Sequence, residues 1–123
     1  MMTGKVDPRR RCLISLEVHG PAGQSEMIEF QVDTGFSGAL LFPQEVAVRL
    51  GLVQSNVVDI RLADGSRVQV PRYVAVVVWD GVERTIALPA SGQQPLLGTA
   101  LLDGHRLNAE IQPGRAVTIE SLP

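Results

Sequence analysis

Cysteine, histidine and aromatic residues are all scarce in this chain of 123 residues. The single cysteine, Cys12, excludes an internal disulfide framework and any zinc site built from several cysteines. The two histidines, His19 and His105, are distant in the sequence, so we expect no histidine-based metal site. Only 4% of the residues are aromatic.

Long apolar runs and an excess of charge of one sign are also absent. No segment approaches the roughly 18 uninterrupted apolar residues of a membrane helix. Eleven basic residues against thirteen acidic ones give no electrostatic reason to expect nucleic acid or an anionic membrane as a partner. The apolar run from Cys12 to Leu16 follows three arginines but ends at Glu17, which is too short for the core of a signal peptide. We therefore expect a cytoplasmic protein.

The composition favours one compact domain built from strands. Apolar residues make up 45% of the chain, which argues against disorder. Valine is the commonest residue, and 12 glycines and 8 prolines interrupt the chain, a pattern typical of short strands joined by turns. We predict an all-β fold in which residues 12–123 form a single domain. Residues 1–11 are polar and include Gly4 and Pro8, so we expect a flexible N-terminal arm.

Alternation of apolar and polar residues predicts strands along most of the chain. Cys12–Val18 and Ile28–Val32 alternate on either side of a Gly-Pro turn, which predicts a hairpin. Pro43 to Leu50 has the spacing of a helix that ends at Gly51. Asp-Gly pairs at 64–65 and 80–81 predict two further turns between strands. The other predicted elements are strands at 57–62, 67–70, 73–79, 82–88, 107–111 and 116–122 and a helical turn at 99–102 with Thr99 as its cap.

The tripeptide Asp33-Thr34-Gly35 is the leading candidate for chemistry. It follows a predicted strand and opens a loop that contains Ser37 and Gly38. A carboxylate at a strand end, followed by a small hydroxyl and a glycine, can be held by backbone N–H groups and stay accessible. Such a tripeptide arises by chance in roughly a few per cent of chains of this length. The alternative interpretation is that Asp33 and Gly35 only form a turn.

Three motifs occur together in a defined order. They are FQVDTGFSG at residues 30–38, the Asp-Gly hairpin at 64–65, and Leu-Leu-Gly at 96–98. In this order they resemble the retroviral-type aspartic proteases, the single-lobe relatives of pepsin, and more closely a group of small prokaryotic proteins of the same clan. The resemblance covers about residues 12–122. It implies a retropepsin-like closed barrel, equivalent to one half of an acid protease, with one or two short helices.

The resemblance also implies a homodimer. Aspartic protease chemistry needs two carboxylates that share one proton, and this chain contains one Asp-Thr-Gly. Asp64, Asp80 and Asp103 also precede glycine, but none follows the strand pattern of Asp33. The second carboxylate would therefore come from a second copy. By analogy with the retroviral enzymes, the strand at 116–122 would pair with terminal strands of the partner.

Site roles are carried over from the same resemblance. Asp33 of each chain would form the dyad, Thr34 would brace the two loops across the interface, and Gly35 would let the backbone approach the substrate. The substrate would be bound by Phe36 and Ser37 and by a flap that closes on it, formed at its tip by Ala63, Asp64, Gly65 and Ser66. The residues expected to pack behind the active-site loop are Leu96, Leu97 and Gly98. No metal or cofactor is implied, because the dyad activates water directly.

The chain departs from the retroviral pattern at several positions. Phe36 stands where those enzymes usually have alanine, and it either narrows a specificity pocket or packs into the core. Ser37 and Thr99 stand where they often have aspartate and arginine, so the ion-pair network of those dimers is absent. We predict an aspartic endopeptidase that cleaves peptides or proteins. The alternative is a non-catalytic dimeric module of the same fold that binds peptides or protein partners.

Overall fold

The computed structural model describes residues 1–123, and strands dominate it. The ten strands are β1 (Met2–Val6), β2 (Cys12–His19), β3 (Ser25–Val32), β4 (Leu40–Leu41), β5 (Val53–Arg61), β6 (Arg67–Trp79), β7 (Val82–Pro89), β8 (Leu96–Leu97), β9 (His105–Ala109) and β10 (Ala116–Ser121). The two helices are α1 (Gln44–Arg49) and α2 (Thr99–Leu102). Neither is long and apolar enough to cross a membrane. The prediction of an all-β fold with one or two short helices is confirmed.

All ten strands belong to one sheet, which curls into a half-barrel. Its main path runs in the order β4-β8-β3-β2-β1-β10-β9. Strand β6 pairs with β2 and carries β5 on one side and β7 on the other. Every pairing between strands is antiparallel except that of β3 with β8. The parallel pair lies where the chain returns to the end of β3.

The predicted hairpins form because each strand buries one face. In the β2–β3 hairpin, Ile14 is paired with Phe30 and both side chains are fully buried, whereas the neighbouring pair of Ser15 and Glu29 is exposed. The turns between β5 and β6 and between β6 and β7 fall at the predicted Asp-Gly pairs. Their glycines have φ angles of 87° and 80°, a left-handed conformation that other residues rarely adopt.

Several element bounds differ from the prediction by a few residues, as at β9 (His105–Ala109, predicted at 107–111) and α1 (Gln44–Arg49, predicted over Pro43 to Leu50), and two further details differ as well. The segments 67–70 and 73–79 are one continuous strand, β6, because β5 and β7 together pair along its length across Pro71. Thr99 is the first residue of α2 and not its cap. Gly98 takes the cap position with an extended backbone.

The N-terminal segment is not a flexible arm, so that prediction is wrong. Met2–Val6 form β1, which pairs with both β10 and β2. Val6 is buried, and Gly4 lies so close to the carbonyl of Leu13 that a side chain there would overlap it. The turn into β2 is closed by Arg11, whose Nε donates to an Asp7 oxygen at 2.7 Å. The pairing of β1 with β10 joins residues distant in sequence, which local composition does not reveal.

The C-terminal strand is also placed differently from the prediction. Strand β10 lies between β1 and β9 of the same chain, and it is hydrogen-bonded on both edges. Its Val117 and Ile119 are fully buried. Because both edges are occupied, β10 has no free edge for a strand of a partner, so the predicted pairing through this strand is wrong.

One hydrophobic core holds the curled sheet together. It contains 23 buried residues and draws on both ends of the chain, from Val6 to Ile119. Helix α1 closes one side of it through Val46 and Ala47. No charged or polar side chain is buried in this core. The charged and polar side chains therefore lie outside the hydrophobic core.

Candidate active site

Asp33 lies immediately after β3 and is fixed through its backbone. Its N–H donates to the carbonyl of Leu97 at 2.8 Å, and its carbonyl accepts from the N–H of Phe36 at 3.1 Å. The carboxylate is half-buried, and its Oδ1 accepts from the N–H of Gly35 at 2.9 Å. A Cβ on Gly35 would lie 3.2 Å from the same oxygen. The loop therefore turns sharply around the carboxylate, and a side chain at Gly35 would crowd it.

Strand β8 supports this loop from behind. It runs parallel to the end of β3, with Leu97 beside Val32, and antiparallel to β4, with Leu97 beside Leu40. Leu97 is fully buried and Leu96 half-buried. Since β3 and β4 are the two ends of the loop at 33–39, β8 joins both of its ends with main-chain hydrogen bonds.

Gly98 and the start of α2 hold the middle of the loop. The N–H of Gly98 donates to the carbonyl of Ala39 at 2.9 Å. The N–H of Thr99 donates to the carbonyl of Phe36 at 2.8 Å, and its hydroxyl donates to the same oxygen at 3.3 Å. The N–H of Ala100 reaches the carbonyl of Gly38 at 3.2 Å. The free N–H groups of the short helix thus satisfy loop carbonyls that would otherwise lack partners.

Phe36 packs within the loop and also faces the cleft. Its ring lies against Gly38 and Gly98, because a Cβ on either glycine would come within 2.6 Å of a ring carbon. The residue is half-buried and forms part of the cleft wall. The ring of Phe36 therefore combines both predicted alternatives, since it packs inward and also forms part of the cleft wall.

A cleft of about 960 Å³ opens in front of Asp33. Its walls are the loop after β3, the flap strand β5, one residue of β6, the end of β7 and the polar loop at 91–94. The predicted site residues that line it are Asp33, Gly35, Phe36, Ser37, Ala63 and Leu96. The other predicted site residues, which do not line it, are Thr34, Asp64, Gly65, Ser66, Leu97 and Gly98.

The predicted flap corresponds to the hairpin of β5 and β6, and the tip of this hairpin is tightly closed. The N–H of Leu62 donates to the carbonyl of Ser66 at 2.8 Å, and that of Gly65 donates to the carbonyl of Leu62 at 2.9 Å. The Asp64 carboxylate accepts from the hydroxyl of Ser66 at 2.6 Å and from its N–H at 2.9 Å. The hydroxyl bond, followed by the backbone bond, lowers the pKa of Asp64. In this chain Asp64 therefore braces the turn and does not point a free charge at the cleft.

Comparisons with known proteins bear on the fold. No family model and no curated protein matches the sequence. Among solved structures, the chain is similar to the crystal structure of a retropepsin-like aspartic protease from Rickettsia conorii, with a TM-score of 0.61 over 96% of this chain and 89% of that chain.

The chain has a retropepsin-like fold. Sequence identity with the Rickettsia conorii protein is 18%, so the likeness concerns the path of the backbone and not the chemistry of individual residues. The roles assigned above to Asp33, Thr34 and Gly35 remain predictions. Thr34 is exposed, and its hydroxyl makes no hydrogen bond within the chain.

Sequence reasoning missed several charged and polar residues of this retropepsin-like cleft. They are Asp59, Arg61, Arg72, Gln93 and Gln94. The signal for Arg72 was available, because it is a charged residue inside the apolar run from Val70 to Trp79. For the others no local signal exists, since charged residues on an exposed hairpin and amides in a polar loop are normal for a protein surface.

Proposed function

We propose that this protein is an aspartic endopeptidase that acts as a homodimer, with one Asp33 from each chain. The observation that carries the proposal is the Asp33 carboxylate, which lies half-buried at an open cleft with one oxygen held by the N–H of Gly35. The retropepsin-like fold and the flap over the same cleft support it. A carboxylate that served only to close a turn would not need a cleft in front of it.

A second copy is needed because one chain supplies a single suitable carboxylate. Asp59 also lines the cleft, but it lies on the flap strand and makes no hydrogen bond to the Asp33 loop. In the proposed dimer, the two Asp33 carboxyl groups share one proton. The ionised one takes a proton from water, whose oxygen attacks the scissile carbonyl carbon, while the protonated one donates to the carbonyl oxygen. The tetrahedral intermediate then breaks at the C–N bond: the amine takes up the proton that the first Asp33 removed from water, and the second Asp33 recovers its proton from a hydroxyl of the intermediate as the new carboxylic acid forms.

Because both edges of β10 are occupied, we propose that the dimer forms through the free edge of β9. Strand β9 pairs with β10 on one edge only. It follows α2, whose first residue holds the Asp33 loop through Phe36. The N–H of Leu122 donates to the carbonyl of Gly104, which fixes the hydrogen-bonding pattern between β9 and β10. The even-numbered residues of β9 direct their N–H and C=O groups towards β10. Leu107 and Ala109 therefore direct theirs towards the free edge.

Charge selects the register of this pairing. Two antiparallel copies of β9 can exchange hydrogen bonds between Leu107 of one chain and Ala109 of the other. That register places Arg106 opposite Glu110 of the partner, twice by symmetry, and both side chains are exposed. Opposite charges in facing positions stabilise a strand pair. Sliding the partner by two residues towards the start of β9 places Arg106 opposite Asn108, and sliding it by four places Arg106 opposite its own copy, so neither register gains the two facing charge pairs.

The proposal is tested by cleavage of a peptide library at acidic pH with the wild-type protein, Asp33→Asn and Thr34→Ser. Asp33→Asn keeps the size of the side chain but removes the shared proton, so cleavage should vanish while the folded spectrum is retained. Thr34→Ser keeps the hydroxyl and should retain much of the activity. Cleavage that survives in Asp33→Asn would overturn the mechanism. Peptide binding without cleavage by wild type would instead favour the binding module of the same fold.

A further inference from the structure

Arg72 is a charged residue without a partner at the wall of the cleft. It lies on β6 between Pro71 and Tyr73, opposite Asn56 of the flap strand and Pro89 of β7. Its Nε is buried and has no hydrogen-bond partner in the chain. None of the five ion pairs includes Arg72, so no carboxylate lies within 4.0 Å of its guanidinium.

The missing partner is energetically significant. A guanidinium carries only donors, so the buried Nε of Arg72 needs an acceptor that the chain does not supply. A buried donor left without an acceptor costs free energy, and more so when the group is charged. Other arginines of this chain show the satisfied arrangement, such as Arg49, whose Nε and Nη2 reach the two oxygens of Glu26 at 2.9 and 2.7 Å. Arg72 has the donors for the same arrangement but no acceptor.

The surroundings of Arg72 favour an anion from outside the chain. Arg61 lines the same cleft and also belongs to no ion pair. Gln94 of the facing loop is already engaged, since its Oε1 accepts from Arg11 at 3.0 Å. The acidic residues of the cleft, Asp33 and Asp59, are not bonded to either arginine. The planar guanidinium fork fits a carboxylate with two parallel hydrogen bonds.

We propose that Arg72 forms a subsite that binds a carboxylate of the substrate peptide, supplied by a glutamate or aspartate side chain or by the peptide's C-terminus. The inference rests on the proposed function only in assuming that the cleft holds a peptide. It makes Arg72 a specificity-determining residue, and it makes the preferred substrates acidic at one position. Arg61 would add to the attraction without the same geometric selectivity, because its side chain is exposed.

The test compares peptides that differ only in charge. Each member of a cleaved peptide series carries Glu or Gln at one position, and the C-terminus is either free or amidated. For wild type we expect kcat/KM to be roughly tenfold or more higher for one acidic peptide than for its neutral match, the usual scale for a hydrogen bond to a charged group. The position of that preference distinguishes a side-chain carboxylate from a terminal one.

Variants assign the preference to Arg72. In Arg72→Gln the ratio should fall to near one, and in Arg72→Lys, which keeps the charge but loses the fork, it should be reduced. Arg84→Gln is the matched control, because Arg84 lies on the adjacent strand β7 outside the flap, is exposed and does not line the cleft, so the ratio should be unchanged. Both Arg72 variants are expected to fold, since they remove or simplify a buried donor that has no partner.

The result that overturns the inference is equal turnover of acidic and neutral peptides by wild type, or a preference that persists in Arg72→Gln. If wild type cleaves no peptide, the proposed function fails and the inference is tested separately. Binding of the same fluorescent peptide pairs to Asp33→Asn protein is then measured by anisotropy. A tighter dissociation constant for the acidic member, lost on adding Arg72→Gln, supports the subsite, and equal constants reject it.

Discussion

The ring of Phe36 lies against Gly98, so that a Cβ on Gly98 would come within 2.6 Å of the ring carbon Cδ2. The same Cβ would overlap the carbonyl oxygens of Gly38 and Phe36. The loop that carries Asp33 and the Leu-Leu-Gly segment are thus in contact with no space for a methyl group. Their close packing explains why a glycine is required at position 98 on steric grounds, although its backbone is in an ordinary extended conformation.

Gly98→Ala should therefore be strongly destabilising. The new methyl group meets backbone atoms, which cannot move aside as a flexible side chain can, so we expect a loss of at least about 1–3 kcal/mol in the free energy of unfolding. Gly35→Ala is the comparison, because its Cβ would meet only the Asp33 carboxylate at 3.2 Å. Urea denaturation of both variants measures the difference. A Gly98→Ala protein as stable as Gly35→Ala would show that the contact is not as tight as described.

Stability at low pH should depend on Asp7. The pKa of Asp7 is lowered first by the hydrogen bond from the Arg11 backbone N–H and further by the Arg11 side chain, while partial burial opposes the shift. A carboxyl group whose pKa is lower in the folded state stabilises the protein above its ordinary value of about 3.8. That contribution is lost as the pH falls through the folded-state value.

We expect the wild-type free energy of unfolding to fall more steeply than that of Asp7→Asn between about pH 5 and about pH 2. Asp103→Asn serves as the control, since the Asp103 carboxylate is exposed and accepts no hydrogen bond. Urea titrations across this range provide the measurement. Parallel pH profiles for wild type and Asp7→Asn would mean that the Asp7–Arg11 contact does not hold the β1–β2 turn in solution.

Local patterns account for the parts of the fold that the sequence predicted. The alternation in β2 and β3 and the Asp-Gly turns at 64–65 and 80–81 are short-range signals, and each element formed where they lie. Strand β1 was missed because it is stabilised by β10, a partner near the other end of the chain. The pairing of β10 was mistaken for a related reason, since alternation reveals which face of a strand is buried but not which strands lie beside it.

The candidate site was likewise predicted only in part. Asp33 and the Leu-Leu-Gly motif were predicted because they belong to motifs that follow one another in a recognisable order. In the structure, the N–H of Asp33 donates a hydrogen bond to the carbonyl of Leu97. Arg72 carries no such motif. Its significance depends on the absence of a carboxylate around it, which only the three-dimensional arrangement reveals. Asp64 was predicted only as part of the flap tip, and only the structure reveals that its carboxylate accepts hydrogen bonds from Ser66 within the turn.

The proposed dimer edge makes a charge-swap prediction. Glu110→Arg places two arginines opposite each other in both halves of the β9 pair, and Arg106→Glu places two glutamates there. Either change should weaken the dimer several-fold, because each facing pair contributes about 0.2–1 kcal/mol. The double variant Arg106→Glu/Glu110→Arg should restore wild-type affinity. Sedimentation velocity over a range of concentrations gives the dissociation constants.

One control is needed for this swap. Arg106 also contacts Glu120 of its own chain at 3.4 Å, so Glu120→Gln tests whether losing that pair alone matters. We expect Glu120→Gln to leave the dimer constant nearly unchanged, because exposed pairs contribute little. Failure of the double variant to recover what the single variants lose would show that β9 is not the contact edge.

The most direct test of the central claim, that each copy contributes one Asp33 to a shared site, is a subunit-mixing assay. A fixed amount of wild-type chain is equilibrated with increasing amounts of Asp33→Asn chain, and peptide cleavage is followed per wild-type chain. Mixed dimers would hold one carboxylate and one amide, so cleavage should fall towards zero as the variant comes into excess. Cleavage that stays constant, however much Asp33→Asn chain is added, would contradict the claim, provided that exchange of labelled subunits is demonstrated in the same samples.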